Sequence, residues 1–286
     1  MKRKITVALA GNPNSGKTTI FNNLTGARQH VGNYPGVTVE KKEGACRHGD
    51  VDINVVDLPG TYSLTAYSIE ELVARDFIVE EKPDVVVDIV DSSNLERNLY
   101  LAVQFMELGV PLVLAFNMSD MVKARGYEFN LPKLSGLLGA PIVPTVGHKG
   151  QGMEELLDAV VATAQRTATR KSAFIGYGKE IEEELRKIEP LVARDEALAG
   201  RYGARWLAVK LLENDKNVRE MISSPDVLDV VRQSESRIEG IFGDPPELVI
   251  TDRRYGFISG ACQESVRSTV EARHTMSDRI DSVVTN

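Results

Sequence analysis

The stretch Gly11-Asn12-Pro13-Asn14-Ser15-Gly16-Lys17-Thr18 constrains this chain more than any other, because it fits the phosphate-binding pattern G-x-x-x-x-G-K-[ST]. The pattern has physical meaning only between a strand and a helix. Residues 5–10 (ITVALA) form a short apolar, β-branched run that reads as a buried strand, and residues 19–24 continue as a helix. A strand, a glycine-containing loop and a helix N-terminus together make an anion site, with backbone N–H groups pointing inward and the helix dipole favouring phosphate. Gly11 and Gly16 let the backbone curl, Lys17 brings a point charge to the β- and γ-phosphates, and the Thr18 hydroxyl suits Mg2+. Asn12, Pro13, Asn14, Ser15 and Thr19 complete the expected phosphate contacts.

Three later segments say which nucleotide. An apolar run at 53–56 ends in Asp57-Leu58-Pro59-Gly60, a D-x-x-G whose acidic residue suits Mg2+ through water and whose Gly60 N–H suits a γ-phosphate. A second run, 112–116, ends in Asn117-Met118-Ser119-Asp120, an N-x-x-D where the common form is N-K-x-D. A carboxylate there accepts two N–H bonds from the guanine edge, and adenine offers no such pair. A third strand, 141–145, leads into Thr145-Val146-Gly147, where a backbone N–H is expected to meet guanine O6, although Val146-Gly147 replaces the usual Ser-Ala. In open α/β sheets ligands bind at the carboxyl ends of strands, and all four segments are expected there. The loop 30–40 holds two glycines and a proline, and Thr38 is the one threonine between Thr25 and Asp57. Gly36-Val37-Thr38 is therefore expected to contact nucleotide, with Thr38 as a switch hydroxyl that joins Mg2+ only when a γ-phosphate is present. A strand-edge role for Thr38 is the alternative. Thr61 follows Gly60 where Ras-type enzymes place a water-orienting Gln, so hydrolysis is expected to be slow.

Composition fits a globular chain. With 286 residues, 42% hydrophobic and 26% charged, it is long enough to bury a sizeable core, and no run approaches the ~20 apolar residues of a membrane span. A net charge of −7 argues against nucleic acid as a partner. Two distant cysteines, Cys46 and Cys262, suggest a reducing compartment, and no signal peptide is read at MKRKITV. Cys46-x-His48 is read as a hairpin turn in preference to a metal site. Strand and helix patterns alternate up to about residue 170 (strand 85–91, helix 95–108, last helix 153–168), the mark of a doubly wound sheet. Beyond a polar linker at 167–172, apolar residues recur at helical spacing around Ile181, Leu185, Trp206, Lys210, Leu211, Val227 and Val231. The expected organisation is a Ras-like P-loop domain over 1–170, an all-helical domain over 171–265, and a C-terminal helix over 266–286.

The strings GNPNSGKT, VGNYPGVTVE, DLPGTYSL and NMSD resemble the N-terminal region of the ferrous iron transport protein B family, FeoB. The likeness is densest over 1–150 and returns in YGFIS (255–259) and SDRID (277–281). It implies a GTPase that converts GTP to GDP and phosphate with Mg2+, a helical domain that tunes nucleotide affinity, and a continuation of the polypeptide into a membrane region that moves Fe2+. It places the chain on the cytoplasmic side of an inner membrane, soluble as this fragment, and leaves a homo-oligomer open. Related GTPases with Asn at the position of Asn14 use a bound K+ in place of an arginine finger. The resemblance thus implies a K+ site from the Asn14 side chain and the carbonyls of Gly32 and Tyr34, and makes Asn14, Lys17, Thr38 and Gly60 the candidate catalytic residues. A purely structural Asn14 is the alternative. Two other readings share the motif set: a ribosome- or tRNA-associated GTPase, and a nucleotide-binding interaction module without hydrolysis.

Overall fold

The computed structural model describes residues 3–26, 29–65, 67–165 and 175–268. The elements of the first unit are β1 (Arg3–Gly11), α1 (Lys17–Thr25), β2 (Gln29–Asn33), β3 (Glu40–His48), β4 (Val51–Asp57), α2 (Ile69–Glu81), β5 (Val85–Asp91), α3 (Leu95–Leu108), β6 (Leu112–Asn117), α4 (Ser119–Ala124), β7 (Tyr127–Phe129), α5 (Leu131–Leu138), β8 (Ile142–Pro144) and α6 (Met153–Gln165). Then come α7 (Lys179–Val192), α8 (Glu196–Tyr202), α9 (Ala204–Leu212), α10 (Lys216–Met221), α11 (Pro225–Phe242), α12 (Pro246–Ser265) and β9 (Val266–Ser268). Among the described residues no helix is long and apolar enough to cross a membrane.

Seven strands form one sheet in the order β2-β3-β4-β1-β5-β6-β8. β4, β1, β5, β6 and β8 run parallel, and β2 and β3 are antiparallel additions at one edge. The near-continuous apolar runs of β1, β5 and β6 are what a parallel sheet covered on both faces requires. Alternate residues divide between the faces. Ile5, Val7, Leu9, Val87, Ile89 and Val113 pack on Ile20 and Phe21 of α1 and on Leu156 and Val160 of α6. Ala8, Ala10, Val86, Val90, Leu114 and Phe116 pack on α2, α3 and α5. The second face continues without a break into the helical unit through Tyr177, Ile181, Leu185, Trp206 and Ile258. This is the expected α/β doubly wound fold followed by helices. All the motif-bearing loops lie at the carboxyl ends of β1, β4, β6 and β8.

Two stretches differ from expectation. Part of the 30–40 loop is strand: β2 pairs antiparallel with β3, from Gln29 opposite Gly44 to Asn33 opposite Glu40. It carries no apolar alternation because it lies exposed along its whole length at the sheet edge, held by backbone pairing and by the Gln29 side chain, whose Nε2 donates to Asn22, Thr25 and Gly26. The expected C-terminal helix meets a strand at its start. α12 ends at Ser265, and the β-branched Val266 enters an antiparallel ladder opposite Phe129. The rest of that expected helix, 269–286, lies outside the described residues, as does the expected linker at 167–172.

The helical unit is joined to the sheet unit by buried charge. Arg254 of α12 is fully buried. Its Nε and Nη2 donate to the two oxygens of Glu107 in α3 at 2.7 and 2.9 Å, and it also pairs with Glu213. The Tyr177 hydroxyl donates to Glu107, and Lys210 Nζ lies 2.8 Å from Glu213. Burial drives the Glu213 carboxyl up, but the charges of Arg254 and Lys210 outweigh it and hold it at about 2. A second tie runs from Arg75 of α2 to Asp215 (3.0 Å) and Asn217 (2.8 Å). A buried pair stripped of one member leaves an uncompensated charge and costs about 3–5 kcal/mol. Arg254→Met should therefore lower stability at neutral pH by about that amount, read as a fall in the urea midpoint. Because Glu213 is depressed in the fold, wild-type stability from this pair is present above pH 4.5 and is lost as pH falls toward 2. The gap between the two proteins should narrow over that window, and a constant gap would show that the pairing is not its source.

Candidate functional site

The phosphate loop leaves β1 at Gly11 and enters α1 at Lys17. Gly16 sits at φ 90°, and a Cβ there would meet Asn117 Nδ2 at 2.2 Å, so only glycine allows the close approach. Asn14 is also left-handed, at φ 67°, a conformation asparagine tolerates. Asn12 (4% exposed) and Ser15 (2%) are buried, yet both side-chain polar atoms of Asn12 and the Ser15 Oγ have no hydrogen-bond partner among the described residues. Buried polar groups are almost always satisfied, so these atoms of the phosphate loop, like others elsewhere in the fold, have capacity left for water or a bound polar group.

Asn117 binds the site together. Its Nδ2 donates to Ser15 O at 2.8 Å, and its Oδ1 accepts the Gly147 N–H at 2.9 Å. One buried side chain thereby links the phosphate loop, the N-x-x-D segment and the 145–147 loop. Asn23 of α1 adds a bond to Gly147 O at 2.7 Å. Ser119 holds Thr145 O through Oγ (3.0 Å), and Met118, left-handed at φ 58°, turns the chain into α4. Val146 is buried and bridges Gln151. Asp120 lies at the rim, where Lys149 Nζ donates to its Oδ2 at 2.7 Å. That hydrogen bond, with the Lys149 charge and the Met121 N–H, holds the Asp120 carboxyl below the usual carboxylate range.

The D-x-x-G segment is bonded to β1: Leu58 N–H donates to Leu9 O (2.9 Å) and Thr61 N–H to Gly11 O (3.2 Å). A Cβ on Gly60 would touch Pro13 at 3.5 Å, so this segment lies against the phosphate loop. Lys17 pairs with the Asp57 carboxylate. The Lys17 ammonium thus shows that Asp57 accepts a cation on the phosphate-loop side. With the Thr18 hydroxyl in the first turn of α1, that is a hard oxygen donor set of the kind Mg2+ takes. Among the described residues no group of three or more His, Cys, Asp or Glu side chains forms a metal-ligand cluster. His48 instead bonds Asp158 of α6 at 2.7 Å.

The 34–39 loop is placed differently from the phosphate loop. Thr38 and Gly36 are exposed, the latter at φ 74°. Tyr34 is buried edge-on against Phe77 of α2, and its hydroxyl donates to Asp57 O at 3.3 Å. Burial, with the Asp57 and Glu43 charges, pushes that hydroxyl's pKa up. The Tyr34 carbonyl accepts the Val37 N–H at 3.3 Å, and Gly32 lies in β2 opposite Lys41. The loop after Thr61 is tied to three helices: Ser63 bonds Glu71 of α2 at 2.9 Å, Leu64 N–H bonds Gln104 of α3, and Lys210 of α9 reaches Thr65 at 3.3 Å. Sequence reasoning missed the linking role of Asn117, the buried Asn12 and the Lys149 contact. For Asn117 the short motif gave the residue but no sign of its partners.

The match to known proteins covers both units. Residues 5–160 match the family model described as ferrous iron transport protein B, and residues 177–267 match the FeoB cytosolic helical domain. The Fe(2+) transport protein A/Fe(2+) transporter FeoB fusion protein of Porphyromonas gingivalis is 45% identical over 99% of this chain and 34% of its own length. The Fe(2+) transporter FeoB of Methanocaldococcus jannaschii is 43% identical over 98% of this chain and 42% of its own length. The chain thus spans about a third to two fifths of the curated relatives it matches. Among solved structures, a mutant S. thermophilus NFeoB bound to GDP aligns with TM-score 0.85 at 37% identity, covering 93% of this chain and 100% of that one. The cytosolic domain of the T. maritima FeoB iron transporter in its GMPPNP form aligns with TM-score 0.79 at 35% identity, over 92% and 99%. The chain belongs to the ferrous iron transport protein B family, and it holds that family's N-terminal P-loop region and cytosolic helical domain.

Proposed function

We propose that this chain binds guanine nucleotide and hydrolyses GTP slowly, as the regulatory portion of a Fe2+ transporter whose membrane region lies on the same polypeptide, at the cytoplasmic face of an inner membrane. The observation that carries the nucleotide reading is the Asn117 junction beside the unsatisfied Asn12 and Ser15. The GDP-bound and GMPPNP forms of the solved relatives support it. Lys17 and the loop N–H groups from Asn14 to Thr19 hold the phosphates. Asp120 and the Gly147 region read the base, with Met118 and Val146 beside it. Thr18, Asp57 and Thr38 would hold Mg2+, which would supply charge neutralisation at the phosphates. Lys17 must leave Asp57 to reach a phosphate, so ligand binding breaks this ion pair and frees the carboxylate. Gly60 gives its N–H to the γ-phosphate, and Leu58 and Pro59 hold it against Pro13. Thr61 is buried with its N–H on Gly11 O, so it does not stand in for a water-orienting Gln.

Asp120→Asn tests the base assignment. Losing the charge-assisted pair should weaken GDP binding about tenfold or more. Xanthosine diphosphate binding should improve, because the amide donates to the second ring oxygen. Titration calorimetry with both ligands decides it, and unchanged GDP affinity refutes the assignment.

Thr38→Ala tests the switch. Thr38 is exposed and makes no side-chain hydrogen bond in this conformation, so its removal should leave GDP affinity unchanged within about twofold. Single-turnover GTP hydrolysis should fall about tenfold or more if Thr38 joins Mg2+ only with a γ-phosphate. Equal losses for GDP and GTP binding would make Thr38 structural.

The K+ reading rests on the family and on Asn14, whose side chain makes no hydrogen bond among the described residues. The Tyr34 carbonyl accepts one hydrogen bond there, from the Val37 N–H, and keeps a second lone pair for a cation. At fixed ionic strength, K+ should accelerate single-turnover hydrolysis over Na+, and Asn14→Ala should lose that difference while keeping most GTP binding. Equal wild-type rates in the two salts return Asn14 to a backbone role.

A further inference from the structure

The guanine-reading end of the site carries a cation that the nucleotide chemistry leaves unused. Lys149 Nζ lies 2.7 Å from Asp120 Oδ2, and His148 Nε2 lies 3.8 Å from the same oxygen. Asp120 Oδ1 accepts the Met121 N–H at 3.1 Å. Lys149 closes the 3-10 turn Gly147–Lys149, and that turn is fixed. Gly147 is held by Asn117 through its N–H and by Asn23 through its carbonyl, and the Lys149 N–H donates to Val146 O at 2.9 Å. The backbone therefore keeps Lys149 beside Asp120, and only its side chain is free to swing. The pair sits at the surface, with the Lys149 side chain 48% exposed and that of Asp120 31%. An ion pair in such a setting is weak and is screened by salt. It is strong enough to occupy the carboxylate and weak enough for a ligand to break.

The geometry points to Lys149 as an internal competitor of the guanine edge at Asp120, a residue that sets how tightly and how selectively the site holds guanine. The inference rests on the guanine-binding reading above. Guanine offers two N–H groups to one carboxylate and needs both oxygens as strong acceptors. An ammonium on Oδ2 occupies one acceptor direction and neutralises the charge that makes the hydrogen bonds strong. Binding guanine must move the Lys149 ammonium back into water. Adenine gains nothing from that exchange, because it brings no matching donor pair. Met118 strengthens the case. The motif position that most commonly carries lysine is apolar here, so the lysine at the base-reading rim comes from the neighbouring loop and faces the carboxylate.

The test uses GDP and ADP with the wild-type chain, Lys149→Met, Asp120→Asn and the double variant, by titration calorimetry. Lys149→Met should tighten GDP binding about two- to fivefold, the scale of an exposed ion pair, and leave ADP binding unchanged. The gain should shrink as choline chloride rises from low to physiological strength, and it should vanish in the Asp120→Asn background. Lys149→Arg should behave as wild type. Unchanged or weaker GDP binding in Lys149→Met overturns the proposal. So does an equal gain for ADP, or a gain that survives in Asp120→Asn, since either would mean that Lys149 acts on the loop and not on the carboxylate. If Asp120→Asn alone leaves GDP binding unchanged, the guanine reading fails first, and the competitor with it.

Discussion

The site depends on one buried amide. Asn117 holds the phosphate loop by a carbonyl and the 145–147 loop by an N–H, and these loops come from opposite ends of the chain segment that builds the sheet. Neither bond is exchangeable for water, because Asn117 is 4% exposed. Gly16 makes the arrangement possible by having no Cβ where Asn117 Nδ2 must sit. A mistake in any of the three loops leaves a buried amide group unpaired, at about 1–3 kcal/mol. The phosphate loop and the 145–147 loop are thereby fixed at one separation, which is what the proposed recognition of a whole nucleotide demands.

The rest of the fold supports that junction through charge as much as through apolar packing. Lys210, Arg75 and Arg254 are all fully buried, and each meets a carboxylate: Glu213 for Lys210, Asp215 for Arg75, and Glu107 and Glu213 for Arg254. Such groups contribute less to stability than hydrophobic residues of equal volume, and removing one partner is costly. Their geometry is demanding, so they fix the register of α9 and α12 against α2 and α3 where apolar contacts tolerate sliding. Lys210 serves both units, with Glu213 on its own helix and Thr65 on the loop that follows D-x-x-G.

The sheet was legible because its strands are apolar on both sides and each ends in a recognisable loop. The helix from Leu95 to Leu108 follows its periodicity to the residue. β2 was not legible, since QHVGN carries no face and gains its order from β3. β9 was hidden for a related reason: three residues after a long helix have no period, and their partner, β7, is equally short. Lys210 fell within an apolar stripe and read as part of it, although its charge and not its stem decides its place. At the site, the motifs supplied Lys17, Asp57, Asn117 and Asp120. They gave no hint that Lys17 and Asp57 hold each other, or that Tyr34 is a core side chain. Both facts depend on where separate loops meet, and linear spacing does not encode that.

The ladder between β7 and β9 determines how the two units can move. Both described ends of the helical unit are anchored to the sheet unit, the first through Tyr177 on Glu107 and the last through Val266–Ser268 on Tyr127–Phe129. A body tied at both ends does not swing on a single hinge. Relative motion is confined to shear, the small sliding of packed helices past one another. A displacement of the chain at Ser268 crosses the ladder to β7 and from there to α4, the preceding helix, which carries Asp120 in its first turn. The end of the helical unit is therefore coupled through one ladder to the short backbone stretch 120–129 that begins at Asp120.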